Sequence, residues 1–174
     1  MMSFFRPAEV LMVQYAHYHR DRRNIATHYV GIPLIFLAIG VLLASPAWPV
    51  AGLMLTPAWL MWGITSLWYL SRGVLLLGLG TCVVNGALIA LAHQLVGGTL
   101  PWAMADWQLG VGLFVIGWVF QFIGHYFEGR KPAFVDDIVG LLVGPMFVVG
   151  EWMMALGMLG SLHRAVERQA GPVR

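Results

Sequence analysis

The sequence predicts an all-α integral membrane protein, with about four transmembrane helices, an N-terminal interfacial helix and a broken or re-entrant C-terminal helical element. Three observations predict it. Hydrophobic residues make up 59% of the 174 residues and charged residues 10%, against about 45–50% and about 25% in typical soluble domains. So few charges cannot cover a water-exposed surface of this size. The apolar residues are also grouped. No Asp, Glu, Lys or Arg occurs in 48 residues from Asn24 to Ser71, in 33 from Gly73 to Ala105, or in 21 from Trp107 to Phe127. A bilayer core needs about 20 apolar residues per helix, so these runs hold roughly two spans, one and one. Third, Trp48, Trp68, Trp102 and Trp107 fall near predicted span ends, where amphipathic rings favour the headgroup zone.

In chain order, residues 7–24 read as the interfacial helix. Val10, Val13, Ala16 and His17 recur at helical spacing, with Tyr15, Tyr18 and the Arg20–Arg23 cluster around them, a mixture that suits a helix lying on a membrane. Spans are expected over about 28–44, 50–70, 73–96 and 109–127, the first ended by the turn Ser45-Pro46-Ala47-Trp48-Pro49. Residues 138–162 are apolar and long enough to cross, but Gly144-Pro145 interrupts them and Glu151 lies among them, so a break is expected at Gly144-Pro145. The whole chain, 1–174, reads as a single membrane domain without internal repeats. An N-terminal signal peptide is not expected, because the first apolar block follows about two dozen polar and aromatic residues. Arg6, Arg20, Arg22 and Arg23 make the N-terminus cytoplasmic under the positive-inside rule. A broken last element keeps all ten basic residues and both termini on that side; five full spans are the alternative. The lone Cys82 rules out a disulfide framework, and a net charge of +2 argues against nucleic acid as a partner.

This topology sorts the six histidines. His17, His19, His28, His125 and His163 fall near the cytoplasmic interface, and His93 lies at the outer end of the third span. Imidazoles converging at one depth on separate helices make a plausible metal site. Spacing limits which ones cooperate: His19 and His28 are nine apart, on opposite faces of a straight helix, so they meet only if the chain bends near Asp21–Asn24. His125 and Glu128, three apart, share a face. Glu151 is a carboxylate within an apolar stretch, which usually marks a site, and the pair Asp136-Asp137 is unexplained. Arg130 and Lys131 could receive a substrate carboxylate, though positive-inside anchoring also accounts for them.

Three segments together resemble a known family. They are Tyr15, His19, Asn24, His28 and Gly31-Ile32-Pro33; Trp118, Gln121 to His125, Phe127, Glu128, Pro132 and Ala133; and Pro145, Phe147 and Glu151. This pattern is similar to the membrane-bound 2-hydroxy fatty acid dioxygenases, whose fungal members degrade phytosphingosine to odd-chain fatty acids. The resemblance implies an Fe(II)-dependent enzyme that takes a 2-hydroxy long-chain fatty acid and O2 and releases a fatty acid one carbon shorter. It implies His19, His28 and His125 as metal ligands. It also implies Asn24, Gln121, Glu128 and Glu151 as polar positions that orient ligands or complete the shell, and Arg130 or Lys131 as the residue that steers the anionic head. The acyl chain is expected between apolar helices, with membrane lipid as the surrounding partner. Two other readings stay open: a zinc-dependent lipid hydrolase or amidase using water, and a non-enzymatic membrane scaffold. The adjacent His-His boxes of membrane desaturases are absent, and a near-apolar interior disfavours transport.

Overall fold

The computed structural model describes residues 4–97, 104–132, 135 and 138–174. Trp102, Ala133, Asp136 and Asp137, named above, lie outside the described residues. The described chain is all-helical apart from one short hairpin. Its order is α1 (Ala8–Ala16), α2 (Arg22–Leu42), β1 (Trp48–Val50), β2 (Leu53–Leu55), α3 (Pro57–Leu70), α4 (Leu75–Gly97), α5 (Asp106–Glu128), α6 (Gly140–Ala155) and α7 (Gly160–Ala170). Three helices, α2, α4 and α5, are long and apolar enough to cross a membrane, and the pair α6–α7, bent by 112°, passes as a fourth, broken span. The fold class is the one the sequence predicts.

Several boundaries differ from expectation. The interfacial helix stops at Ala16, and residues 17–21 form a turn before α2 begins. Asp21 caps α2 by accepting from the Arg23 N–H at 2.8 Å, so the side chains that make this segment polar also end one helix and start the next. The expected span over 50–70 is shorter. Residues 48–55 form a two-stranded antiparallel hairpin pairing Val50 with Leu53, and α3 starts only at Thr56-Pro57, a capping threonine followed by a first-turn proline. At 14 residues, α3 is about 21 Å long, short of the roughly 30 Å hydrocarbon core. Finally, the C-terminal element breaks at Leu156–Leu159 rather than at Gly144-Pro145. Gly157 (φ +77°) and Leu159 (φ +55°) take left-handed conformations there, whereas α6 runs unbroken through Pro145.

Close helix contacts explain where the small residues sit. A Cβ on Gly117 of α5 would stand 2.9 Å from the Gly31 carbonyl oxygen of α2, and one on Gly144 would stand 3.0 Å from Ile32 Cδ1 and 3.3 Å from the Tyr15 hydroxyl. Glycine therefore lets α2 and α5 touch along their backbones and lets α6 press beneath α1. Residues 143–150 of α6 are all buried, as expected of a helix apolar all round. Val143, Met146, Phe147 and Val149 form a core with Leu11, Met12 and Tyr15 of α1 and Leu77 of α4. The outer faces of α4 and α5 leave Leu79, Val83, Val115, Val119 and Phe122 exposed, which suits lipid contact.

One end of this bundle gathers the basic residues. The Ala8 N–H donates to the Arg72 carbonyl, the Arg22 N–H to the Arg174 carbonyl, and Arg130 Nη1 to the His17 carbonyl. Helix α7, which carries Arg164 and Arg168, packs on α1 at the same end.

Candidate metal centre

Three histidines meet at this end, each supplied by a different local device. His19 lies in the turn after α1, His28 in the second turn of α2, and His125 in the last turn of α5. The turn over 17–21 resolves the nine-residue spacing, because it lets the His19 ring fold back onto the face of α2 that carries His28. All three are buried: His19 and His28 are 0% exposed and His125 is 6% exposed. One ligand atom from each lies within 4.8 Å of the others, and they are the one such cluster among the described residues. Their ring centroids are 4.4, 4.9 and 5.0 Å apart.

The hydrogen bonds around these rings fix what their inner nitrogens present. His19 Nδ1 lies 2.7 Å from the Tyr15 carbonyl oxygen, and His28 Nδ1 lies 2.9 Å from that of Asn24. A carbonyl only accepts, so each Nδ1 carries the proton and donates. In the neutral rings both Nε2 atoms are then bare lone pairs, yet they face each other at 3.0 Å. Two lone pairs at that distance repel unless a cation lies against both. Imidazole nitrogens bind transition ions at about 2.0–2.1 Å, so neighbouring ligands of one ion stand about 3 Å apart. His125 adds a buried Nδ1 with no hydrogen-bond partner. Burial, and then the neighbouring His28, hold the His19 imidazole well below the ordinary histidine value, so it is neutral at pH 7 and free to ligate. The donor set fits a divalent transition metal such as iron or zinc.

The sequence-derived polar residues divide into distinct roles. Glu128 turns away from the histidines: its Oε2 accepts from the backbone N–H groups of Arg20 (2.9 Å) and Asp21 (2.8 Å) and from Asn24 Nδ2 (3.0 Å). This carboxylate ties the His19 turn to α5. Asn24 bridges the same parts, orienting His28 through its carbonyl and Glu128 through its amide. Glu151 lies outside the cluster, 3.8 Å from Arg20 Nη2. Gln121 lines the cavity beside His125 with its Nε2 buried and without a partner. Arg130 and Lys131 are exposed and follow α5 just beyond His125 in the chain, without lining the cavity. His17 and His163 are exposed and His93 bonds Thr56 at the opposite end, so none of the three joins the site.

Two contributors, Tyr15 (quoted above only as a motif position) and Arg20, were given no role at the site from the sequence. Tyr15 stacks on His19 at 4.2 Å between centroids, with the rings 4° from parallel, and also lines the cavity. Arg20 is buried, with Nε donating to the Ala16 and His19 carbonyls and Nη1 to that of Gly171. Only its place in a basic cluster was visible beforehand.

The cavity has a volume of about 280 Å³ and an almost wholly apolar wall. It runs from His125 and Gln121 past Trp118 to Phe114 on α5, and along Ile32, Ile35 and Ile39 on α2, closed by Gly144 and Pro145 of α6. From His125 to Phe114 is about 16 Å along the helix axis, near half the roughly 30 Å bilayer core.

A family model described as 2-hydroxy-palmitic acid dioxygenase Mpo1-like matches residues 5–156. The chain belongs to this family. It is 31% identical over 156 residues to the 2-hydroxy-palmitic acid dioxygenase MPO1 of Saccharomyces cerevisiae, an alignment covering 88% of this chain and 83% of the yeast protein. No solved structure matches. The family match includes all three histidines, Asn24, Gln121, Glu128 and Glu151, and it ends before α7.

Proposed function

We propose that this Mpo1-like protein is an Fe(II)-dependent dioxygenase that shortens 2-hydroxy long-chain fatty acids by one carbon at a membrane interface. The observation that carries the reading is the pair of facing, proton-free imidazole nitrogens at 3.0 Å, clustered with His125, which lines one end of an apolar cavity. The yeast relative's name supplies the substrate class.

His19, His28 and His125 would hold the iron, leaving further positions for ligands. Bound Fe(II) supplies the one-electron chemistry that lets dioxygen react with an organic acid. The overall conversion balances without another reductant: a 2-hydroxy acid and O2 give the acid one carbon shorter, CO2 and water. The chain's own residues bind and orient. The acyl tail lies along Ile32, Ile35, Ile39, Phe114 and Trp118, and the carboxylate and hydroxyl lie at the histidine end. Gln121 Nε2 is a buried donor within that end and satisfies itself on a substrate oxygen, since an unpaired buried amide is costly. Arg130 and Lys131 draw the anionic head toward that end. Glu128 and Asn24 hold the His19 turn and His28 in register, and Glu151 holds Arg20. We place this end, with both termini, on the cytoplasmic side, in line with the positive-inside rule.

Oxygen uptake by the anaerobically Fe(II)-loaded protein tests this reading. Adding 2-hydroxypalmitate should start uptake and yield a 15-carbon fatty acid. Three imidazoles suit zinc as well as iron, so an absence of uptake on 2-hydroxypalmitate together with oxygen-independent cleavage of an ester- or amide-linked lipid by the zinc-loaded protein would replace the dioxygenase with a hydrolase.

A further inference from the structure

The turn that carries His19 is held from a second direction, by residues beyond the family match. The Arg174 N–H donates to the Arg20 carbonyl at 2.9 Å, and the Arg22 N–H donates to the Arg174 carbonyl at 3.0 Å. These two bonds tie residue 174 to both sides of Asp21. The Gly171 carbonyl accepts from Arg20 Nη1 at 2.9 Å, and Arg174 Nη2 lies 3.7 Å from Glu128 Oε1, the second oxygen of the carboxylate whose first oxygen binds the turn. Gly171 has φ +83°, a backbone that glycine adopts without strain, and this turns the chain off α7 toward the site. The base is firm, because Leu162, Ala165 and Val166 of α7 are buried.

We infer that residues 171–174 are a strap that positions His19 and thereby sets how fast the bound metal is released. The inference rests on the metal reading above. The strap's bonds go to the backbone of Arg20 and Arg22, the Arg20 side chain and Glu128, so it acts on His19 through its chain neighbours and through the carboxylate that holds the turn. Outer partners that orient a ligand typically change metal affinity by about 10–100-fold, and the strap holds the ligand's chain neighbours rather than the ring. Its effect therefore falls near the lower end.

Two variants of the full protein in detergent test this. A chain ending at Ala170 removes the strap. Arg22→Pro removes one N–H to it, and it leaves the helix start intact because proline suits the first helical position and Asp21 is already extended, with ψ 127°. Two quantities are read: hydrogen exchange of the amides of residues 19–24 in metal-free protein, and the rate of Fe(II) loss to a chelator. Truncation should speed exchange at Arg20 and Asp21 and raise metal loss about tenfold. Arg22→Pro should move both the same way by less, while amides in the middle of α5 stay protected in both variants. A turn equally protected without the strap would overturn the inference, as would a loosened turn with an unchanged release rate. Should the parent protein bind no iron, the metal reading fails separately, and exchange in the turn still decides whether the strap holds it.

Discussion

Glu128→Ala is expected to loosen the metal site without removing a ligand. In the parent, one buried oxygen accepts three hydrogen bonds, from Arg20 N–H, Asp21 N–H and Asn24 Nδ2. Alanine leaves three donors without an acceptor. Each orphaned buried donor costs about 1–3 kcal/mol, and because the turn can open partly to water the lower bound applies. The total is then about 3 kcal/mol, or roughly a hundredfold in an equilibrium constant. That loss falls on the state in which His19 faces His28, so metal affinity should drop by roughly that factor. Glu128→Gln keeps one acceptor oxygen but loses the charge that makes such bonds about twice as strong, and should weaken affinity by about tenfold. Competition against a chelator of known affinity, under anaerobic conditions, measures both. If Glu128→Ala bound metal as tightly as the parent, Glu128 would not be positioning His19, and the account of the turn would be wrong.

Two further substitutions probe the scaffold and the cavity. Gly117→Ala should destabilise the protein by about 1–3 kcal/mol, because the new methyl would meet the Gly31 carbonyl at 2.9 Å. A thermal midpoint lower by about 2–4 °C per kcal/mol checks it, and an unchanged midpoint would mean that α2 and α5 separate freely. Ile39→Trp fills the far end of the cavity and should shift preference toward shorter 2-hydroxy acids. Each excluded methylene costs up to about 0.8 kcal/mol, about fourfold; equal rates on 12- and 18-carbon substrates would place the chain elsewhere.

The parts of this molecule legible in its sequence are those set by local pattern. Charge-free runs mark α2, α4 and α5 because hydropathy reports lipid exposure directly. The shared depth of His19, His28 and His125 follows from span ends, and the need for a bend between His19 and His28 follows from helix geometry alone. The turn at Ser45–Pro49 was legible, but the hairpin at 48–55 was hidden because Trp48, Val50, Leu53 and Met54 are as apolar as a span. Gly144-Pro145 reads as a break, yet the missing Cβ serves contact with Ile32 and Tyr15; the real break needed the left-handed Leu159. Arg20, Glu128 and Arg174 come together across more than a hundred residues, and no local signal in the chain encodes that pairing.

Metal content bears most directly on the three-histidine centre. Parent protein, His28→Ala and His125→Ala would be purified in detergent, loaded anaerobically with Fe(II), freed of excess metal, and assayed for iron per chain alongside their melting curves. One ion per parent chain, and near loss of it in each variant with a cooperative melt retained, is the predicted result. Parent-like iron in a folded His28→Ala or His125→Ala protein would contradict the assignment and send the search for the metal elsewhere in the chain.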